Sequence, residues 1–114
     1  MTATKKKKPF FFIKNKQTLN RVDVSTIRYI HAEGNYCYIN MLGDKVVSLK
    51  ISLRQLIDQL SQEQFVRVHK SYIINLDYLQ QVNIKERILL VDHTDIPVGR
   101  TYYSELSERI SLFN

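Results

Sequence analysis

Cysteine is almost missing from this chain of 114 residues. Cys37 stands alone, which excludes an internal disulfide and any metal site built on four thiolates. Glycine and proline are scarce, with three and two residues, so the chain is neither collagen-like nor a Gly/Pro-rich disordered one. No apolar run approaches the roughly 18–20 residues that span a bilayer. The start lacks the charged, apolar, then small-residue order of a secretory signal. A cytoplasmic chain with no membrane association is therefore expected. Acid is absent from residues 1–16, which hold Lys5, Lys6, Lys7, Lys8, Lys14 and Lys16; the net charge of +6 belongs to this segment, and the remainder is neutral. The pI of 9.5 thus describes the N-terminal segment more than the body.

The usual signatures of catalysis are also missing. His31, His69 and His93 do not sit four apart from one another or from Cys37, so helical zinc spacing is absent. No GxGxxG or GxxxxGK[ST] run occurs among three isolated glycines. The carboxylates are scattered and lie mostly in polar turns. Cys37, in the middle of Tyr36-Cys37-Tyr38, reads as a small buried hydrophobe. The expectation is a protein that is not an enzyme and takes no cofactor or metal.

What remains is one globular domain rich in short strands. The chain is 44% hydrophobic and long enough to bury a core without disulfides. Residues 1–9 form a basic segment expected to be disordered: a solubilising tail, a phosphate-seeking arm, or a lipid-surface anchor joined to Phe10, Phe11 and Phe12. Strand character then runs through Phe10–Ile13, Leu19–Val24, Ile27–Ala32, Tyr36–Leu42 and Lys45–Ile51, and again through Phe65–His69, Tyr72–Leu76, Leu79–Ile84 and Arg87–Asp92. Glu33-Gly34-Asn35, Gly43-Asp44 and Lys85-Glu86 supply turns, and Gly34 can take positive φ. Ile96-Pro97-Val98 reads as an edge strand, because proline cannot donate to a ladder.

The period changes once with clarity. Leu53, Leu56, Ile57 and Leu60 fall on one helical face, and Ser52 with Gln55 makes a capping box, which predicts a helix over Ser52–Leu60. Thr101 is the expected N-cap of a second helix carrying Tyr103, Leu106 and Ile110. Eight to ten short strands, two short helices and no strand–long helix–strand rhythm together predict a mostly-β, antiparallel fold.

The stretch from Phe65 to Asn75 is the most informative. Two strands flank His69-Lys70-Ser71, a polar step with a long cation at its tip. Lysine there can reach a phosphate or a guanine edge, and serine can donate to a phosphate. Ordinary solvated polarity at a strand end explains the same residues. The stretch resembles the signature of the LytTR DNA-binding family, Phe-x-Arg-Val-His-Arg-Ser-Tyr followed by an aliphatic residue, Val and Asn. Three further pieces resemble that family in order: Ile27–Tyr36, Ser52–Leu56, and Ile96–Tyr102. The resemblance runs from about Phe10 to Leu112.

This resemblance implies an elongated antiparallel β-sheet fold of about ten short strands, spanning residues 10–114. It implies a transcriptional regulator that reads the major groove through loops, at direct-repeat sites where a second copy binds in tandem. Double-stranded DNA is the expected partner, with an upstream receiver or sensor kinase as a further one. Carried over by position, the first loop supplies Asn35 and Tyr36, the second His69, Lys70 and Ser71, and the third Arg100. Two positions depart from the pattern. His31 stands where glutamate is usual, and Lys70 where arginine is, which replaces a planar fork by a point charge. The competing expectation is a small β-barrel interaction module that binds peptide or anionic lipid through the basic, aromatic N-terminal segment.

Overall fold

The computed structural model of the protein describes residues 8–113. The lysines Lys5, Lys6 and Lys7, on which the expectation of a disordered tail rests, lie outside the described residues. Ten strands and two helices follow in order: β1 (Phe10–Asn15), β2 (Thr18–Asp23), β3 (Ile27–Glu33), β4 (Tyr36–Met41), β5 (Lys45–Leu49), α1 (Leu53–Ile57), β6 (Phe65–His69), β7 (Tyr72–Asn75), β8 (Leu79–Asn83), β9 (Ile88–Val91), β10 (Thr94–Pro97) and α2 (Tyr103–Arg109). They form a β1–β2 hairpin, a five-stranded sheet in the order β5-β4-β3-β7-β6, and a three-stranded sheet in the order β10-β9-β8. Every pairing is antiparallel. The molecule measures 51 × 40 × 25 Å, so it is elongated. The sheets are open and separate, which removes the barrel on which the competing expectation depended.

The β6–β7 hairpin is buried on both faces, and this organises the whole. Side chains alternate across a strand. Phe65 and Ile73 therefore enter one core, with Ile30, Ile39, Leu53 and Leu56, beneath α1 and the β1–β2 hairpin. Val66, Val68 and Ile74 enter a second core, with Leu89, Val91, Ile96 and Leu106, beneath the three-stranded sheet and α2. Burying one such aliphatic or aromatic side chain contributes about 1.5–3 kcal/mol. Polar side chains join the layers. Arg28, only 9% exposed, donates from Nε to the Met41 carbonyl at 3.2 Å and lies 3.6 Å from the Asp92 carboxylate. Asn75 is fully buried and donates to the Ile27 carbonyl at 2.8 Å.

Three local expectations are corrected. Helix α1 starts where the capping box places it, with Ser52 Oγ accepting from Gln55 N, but it ends at Ile57. Leu60 stays buried although the backbone has left the helix, because the core, not the helix, claims it. Gly43-Asp44 does not form a bare two-residue link; Met41 pairs with Lys45, so Leu42–Asp44 make a three-residue turn with positive φ at both Gly43 (75°) and Asp44 (57°). Thr101 is not an N-cap. Arg100–Tyr102 form a 3-10 turn, α2 begins at Tyr103, and the capping position falls on Tyr102 with no side-chain bond.

Candidate nucleic-acid interface

Three loop tips meet at one end of the molecule. The first joins β3 to β4. Glu33 pairs with Tyr36, so Gly34-Asn35 is a two-residue turn, with φ of 61° at Gly34. Glycine at the first turn position with positive φ matches a type II′ hairpin turn. Space is not the constraint, since a Cβ on Gly34 would meet nothing within 4 Å. Asn35 and Tyr36 stand exposed at the tip.

The second tip joins β6 to β7. His69 pairs with Tyr72, leaving Lys70-Ser71 as the link, and the register slips between Arg67 and His69. This loop is pinned from within. Ser71 N donates to His69 Nδ1 at 3.0 Å. Arg67 donates from Nε to the His69 carbonyl at 3.2 Å and from Nη2 to the Lys70 carbonyl at 2.5 Å. His69 also packs edge-on against Tyr72, with ring centroids 5.6 Å apart. His69 thus shapes the turn, while Lys70 projects outward, exposed, and Ser71 is half-buried.

The third tip, Gly99-Arg100, follows β10. Gly99 N donates to the Val68 carbonyl at 2.7 Å, and Tyr102 N donates to the Gly99 carbonyl at 3.0 Å. A Cβ on Gly99 would come within 3.0 Å of the Tyr102 ring, so this glycine reflects close approach, not unusual φ. The Arg67 guanidinium lies 5.6 Å from the centre of the same ring, in cation–π range. Arg100 is exposed.

Backbone bonds hold the tips together. Ala32 N donates to the Ser71 carbonyl at 2.9 Å, tying the first tip to the second, as the Gly99–Val68 bond ties the third. Asn35, Tyr36 and Lys70 share the wall of an open cavity of about 340 Å³ with Lys50 and Arg67. Arg100 does not line it. Lys50 and Arg67 are absent from the expected contacts. Arg67 lies inside the Phe65–Asn75 stretch and could have been singled out there. Lys50 carries no local signal, since only the β4–β5 pairing brings it beside the first tip.

Around these tips sit groups with structural work. Cys37, directly after Asn35-Tyr36, is fully buried and its thiol donates to the Ile51 carbonyl at 3.1 Å. Burial pushes the thiol pKa up, and the nearby Arg67 charge opposes that rise. His31 stacks on Tyr38 at 5.0 Å and accepts from Asn40 Nδ2 at its Nδ1, 3.1 Å away. The histidine at this departure from the family pattern is therefore packed into the sheet face. Among the described residues no cluster of His, Cys, Asp or Glu could hold a metal, and no helix is long and apolar enough to cross a membrane.

The family model of the LytTr DNA-binding domain matches residues 17–111, a span containing all three tips. The chain belongs to the LytTR family of DNA-binding domains. A solved LytTr DNA-binding domain from Bacillus cereus superposes with a TM-score of 0.77 at 23% identity, covering 90% of this chain and 96% of that one; the likeness is one of fold. The sensory transduction protein LytT of Oceanobacillus iheyensis is 29% identical over 70% of this chain and 35% of its own length. The heme-containing CO-sensing transcriptional regulator RcoM 1 of Paraburkholderia xenovorans is 31% identical over 82% of this chain and 38% of its own length. This LytTR chain therefore spans well under half the length of the curated relatives it matches.

Proposed function

We propose that this chain is the DNA-reading part of a transcriptional regulator, and that it reads base edges in the major groove with its loop tips. The observation that carries this reading is the meeting of three pinned tips at one end, each presenting an exposed side chain suited to a base edge or a phosphate. Arginine can fork to guanine O6 and N7, asparagine can pair with adenine N6 and N7, and lysine can donate to guanine. Arg100, Asn35 and Lys70 take those parts, with Tyr36 and Ser71 beside them and His69 shaping the second tip. Such short tips cover few bases each, so a long site needs two copies in tandem, as on a direct repeat. The matched relatives are named for sensing and signal transduction, and most of their length lies outside the matched part. We propose accordingly that a receiver or other sensory unit is the chain's regulatory partner.

The lipid or peptide alternative draws little support. Of the three phenylalanines it needs, Phe10 lies under the Arg21 guanidinium at 3.9 Å, and Phe11 packs on the first core; Phe12 alone is well exposed, at 52%. Selection from randomised duplexes at one fixed salt concentration tests the reading. Enrichment of a short motif repeated at constant spacing is expected. Absence of enrichment, together with sedimentation of the chain on anionic vesicles, refutes it.

A further inference from the structure

The cavity between the first and second tips has a composition that the base-reading residues do not account for. Three cations line it, Lys50, Arg67 and Lys70, and no carboxylate does. None of the ion pairs among the described residues involves any of the three. Like charges around one open cavity repel, and an anion seated between them relieves the repulsion. We infer that this cavity seats a backbone phosphate of the bound duplex, with Lys50 as its direct contact and Arg67 as the fixed charge behind it; the inference rests on the DNA-binding reading above.

The local structure suits these parts. Lys50 follows the last residue of β5, and the chain on either side of it is anchored. Leu49 pairs with Cys37, and the Ile51 carbonyl accepts from the Cys37 thiol at 3.1 Å. Ser52 is then held by the capping box. The root of Lys50 is thus tied to the strand that leaves the Asn35-Tyr36 tip, while its ammonium, on a flexible stem, stays in solvent. A compact point charge with rotatable donors can follow a phosphate without demanding one geometry. Arg67 is the opposite case. Two of its N–H groups are committed to the His69 and Lys70 carbonyls, so its position on the cavity wall is set, and the fork has further N–H donors beyond those two. A phosphate held here would sit beside Asn35 and Lys70 and fix their register on the bases.

The experiment uses the full chain, a duplex carrying the selected repeat and a scrambled duplex. Binding is measured at several salt concentrations for the parent, Lys50→Ala and Lys50→Arg, with thermal melts alongside. Lys50→Ala is expected to make the slope of log K against log salt shallower by about one, and to weaken both duplexes alike, by about 8-fold at 0.1 M salt. Lys50→Arg should keep the parent slope. In a scan of single methylphosphonates, which remove one phosphate charge at a time, one position should weaken the parent more than it weakens Lys50→Ala. An unchanged slope for Lys50→Ala, with the parent still selecting its repeat, overturns the phosphate site and leaves the DNA-binding reading standing. Loss confined to the selected duplex also overturns it, because Lys50 would then be reading a base. A parent chain that selects no duplex overturns both.

Discussion

Asn75 belongs to the same signature stretch as Lys70, yet the structure makes it part of the scaffold, and this distinction has a measurable size. Its side chain is fully buried. Nδ2 donates to the Ile27 carbonyl at 2.8 Å, and Oδ1 accepts from Asp77 N at 2.9 Å, opening the 3-10 turn Leu76–Tyr78. Asn75→Ala removes both bonds, each contributing about 1 kcal/mol net, and strands the buried Ile27 carbonyl, whose lost partner costs about 1–3 kcal/mol more. The Asp77 N–H lies nearer solvent and can recruit water. A loss of about 2–4 kcal/mol is therefore expected, or roughly 8–16 °C in Tm for a chain of this size. Asn75→Asp sharpens the test. It keeps the acceptor for Asp77 N but turns a carboxylate oxygen toward the Ile27 carbonyl. Burial beside a carbonyl raises the folded-state pKa of that carboxyl above its unfolded value. The variant is thus most stable at acid pH, where the protonated group can donate, and loses stability as pH rises through the folded pKa. Thermal and urea melts of parent, Asn75→Ala and Asn75→Asp between pH 4 and pH 8, with DNA selection on the refolded variants, provide the assay. A melt within about 2 °C of the parent for Asn75→Ala refutes the reasoning, as the two buried bonds would then contribute nothing. So does an altered base preference with an unaltered melt, which would place Asn75 at the DNA.

Arg100→Ala is expected to weaken the selected duplex by about 1–3 kcal/mol and relax preference at one base position, with the melt within roughly 0.5 kcal/mol of the parent; equal weakening of all sequences would make Arg100 a phosphate clamp. Lys70→Ala should weaken the selected site less than Arg100→Ala, and Lys70→Arg should sharpen preference by supplying a planar fork, both read from binding to point variants of the site. Ser52→Ala, which breaks the capping box of α1, should cost about 0.5–2 kcal/mol in a denaturant melt. Burial first, then Asp92 and Asp77, raise the Tyr78 pKa above its ordinary value of 10.0, and its hydroxyl donates to the Ser25 carbonyl at 2.6 Å. The unfolded chain ionises first, so stability is intact below pH 10 and falls as pH rises through the folded value; Tyr78→Phe should flatten that fall in urea melts from pH 8 upward, and an identical fall in both chains would refute the assignment.

Local chemistry was enough to determine the strands, the turn at Gly34 and the start of α1. Alternation of side chains, a glycine that tolerates positive φ and a capping box between Ser52 and Gln55 each act within a few residues. Local chemistry also brought Lys70 to notice, as a long cation at a polar step between two strands, whereas Asn35 and Arg100 came from the resemblance to the family pattern. The end of α1 escaped it. Leu60 continues the helical period and is buried, but its burial comes from the shared core, after the backbone has left the helix. The start of α2 escaped it for a related reason: Gly99 is held by the Val68 carbonyl, and the turn that follows carries the chain past Thr101 before regular helix begins. Only tertiary structure could decide that the three tips share one end. That depends on β3 pairing with β7 across some forty residues of chain, and on a single backbone bond from Gly99 to β6. The same long-range pairing brings Lys50 and Arg67 to one cavity. Lys50 has no neighbour in sequence that announces a role, and Arg67, although inside the Phe65–Asn75 stretch, gains its part only when the fold sets the two charges on one cavity that no carboxylate lines.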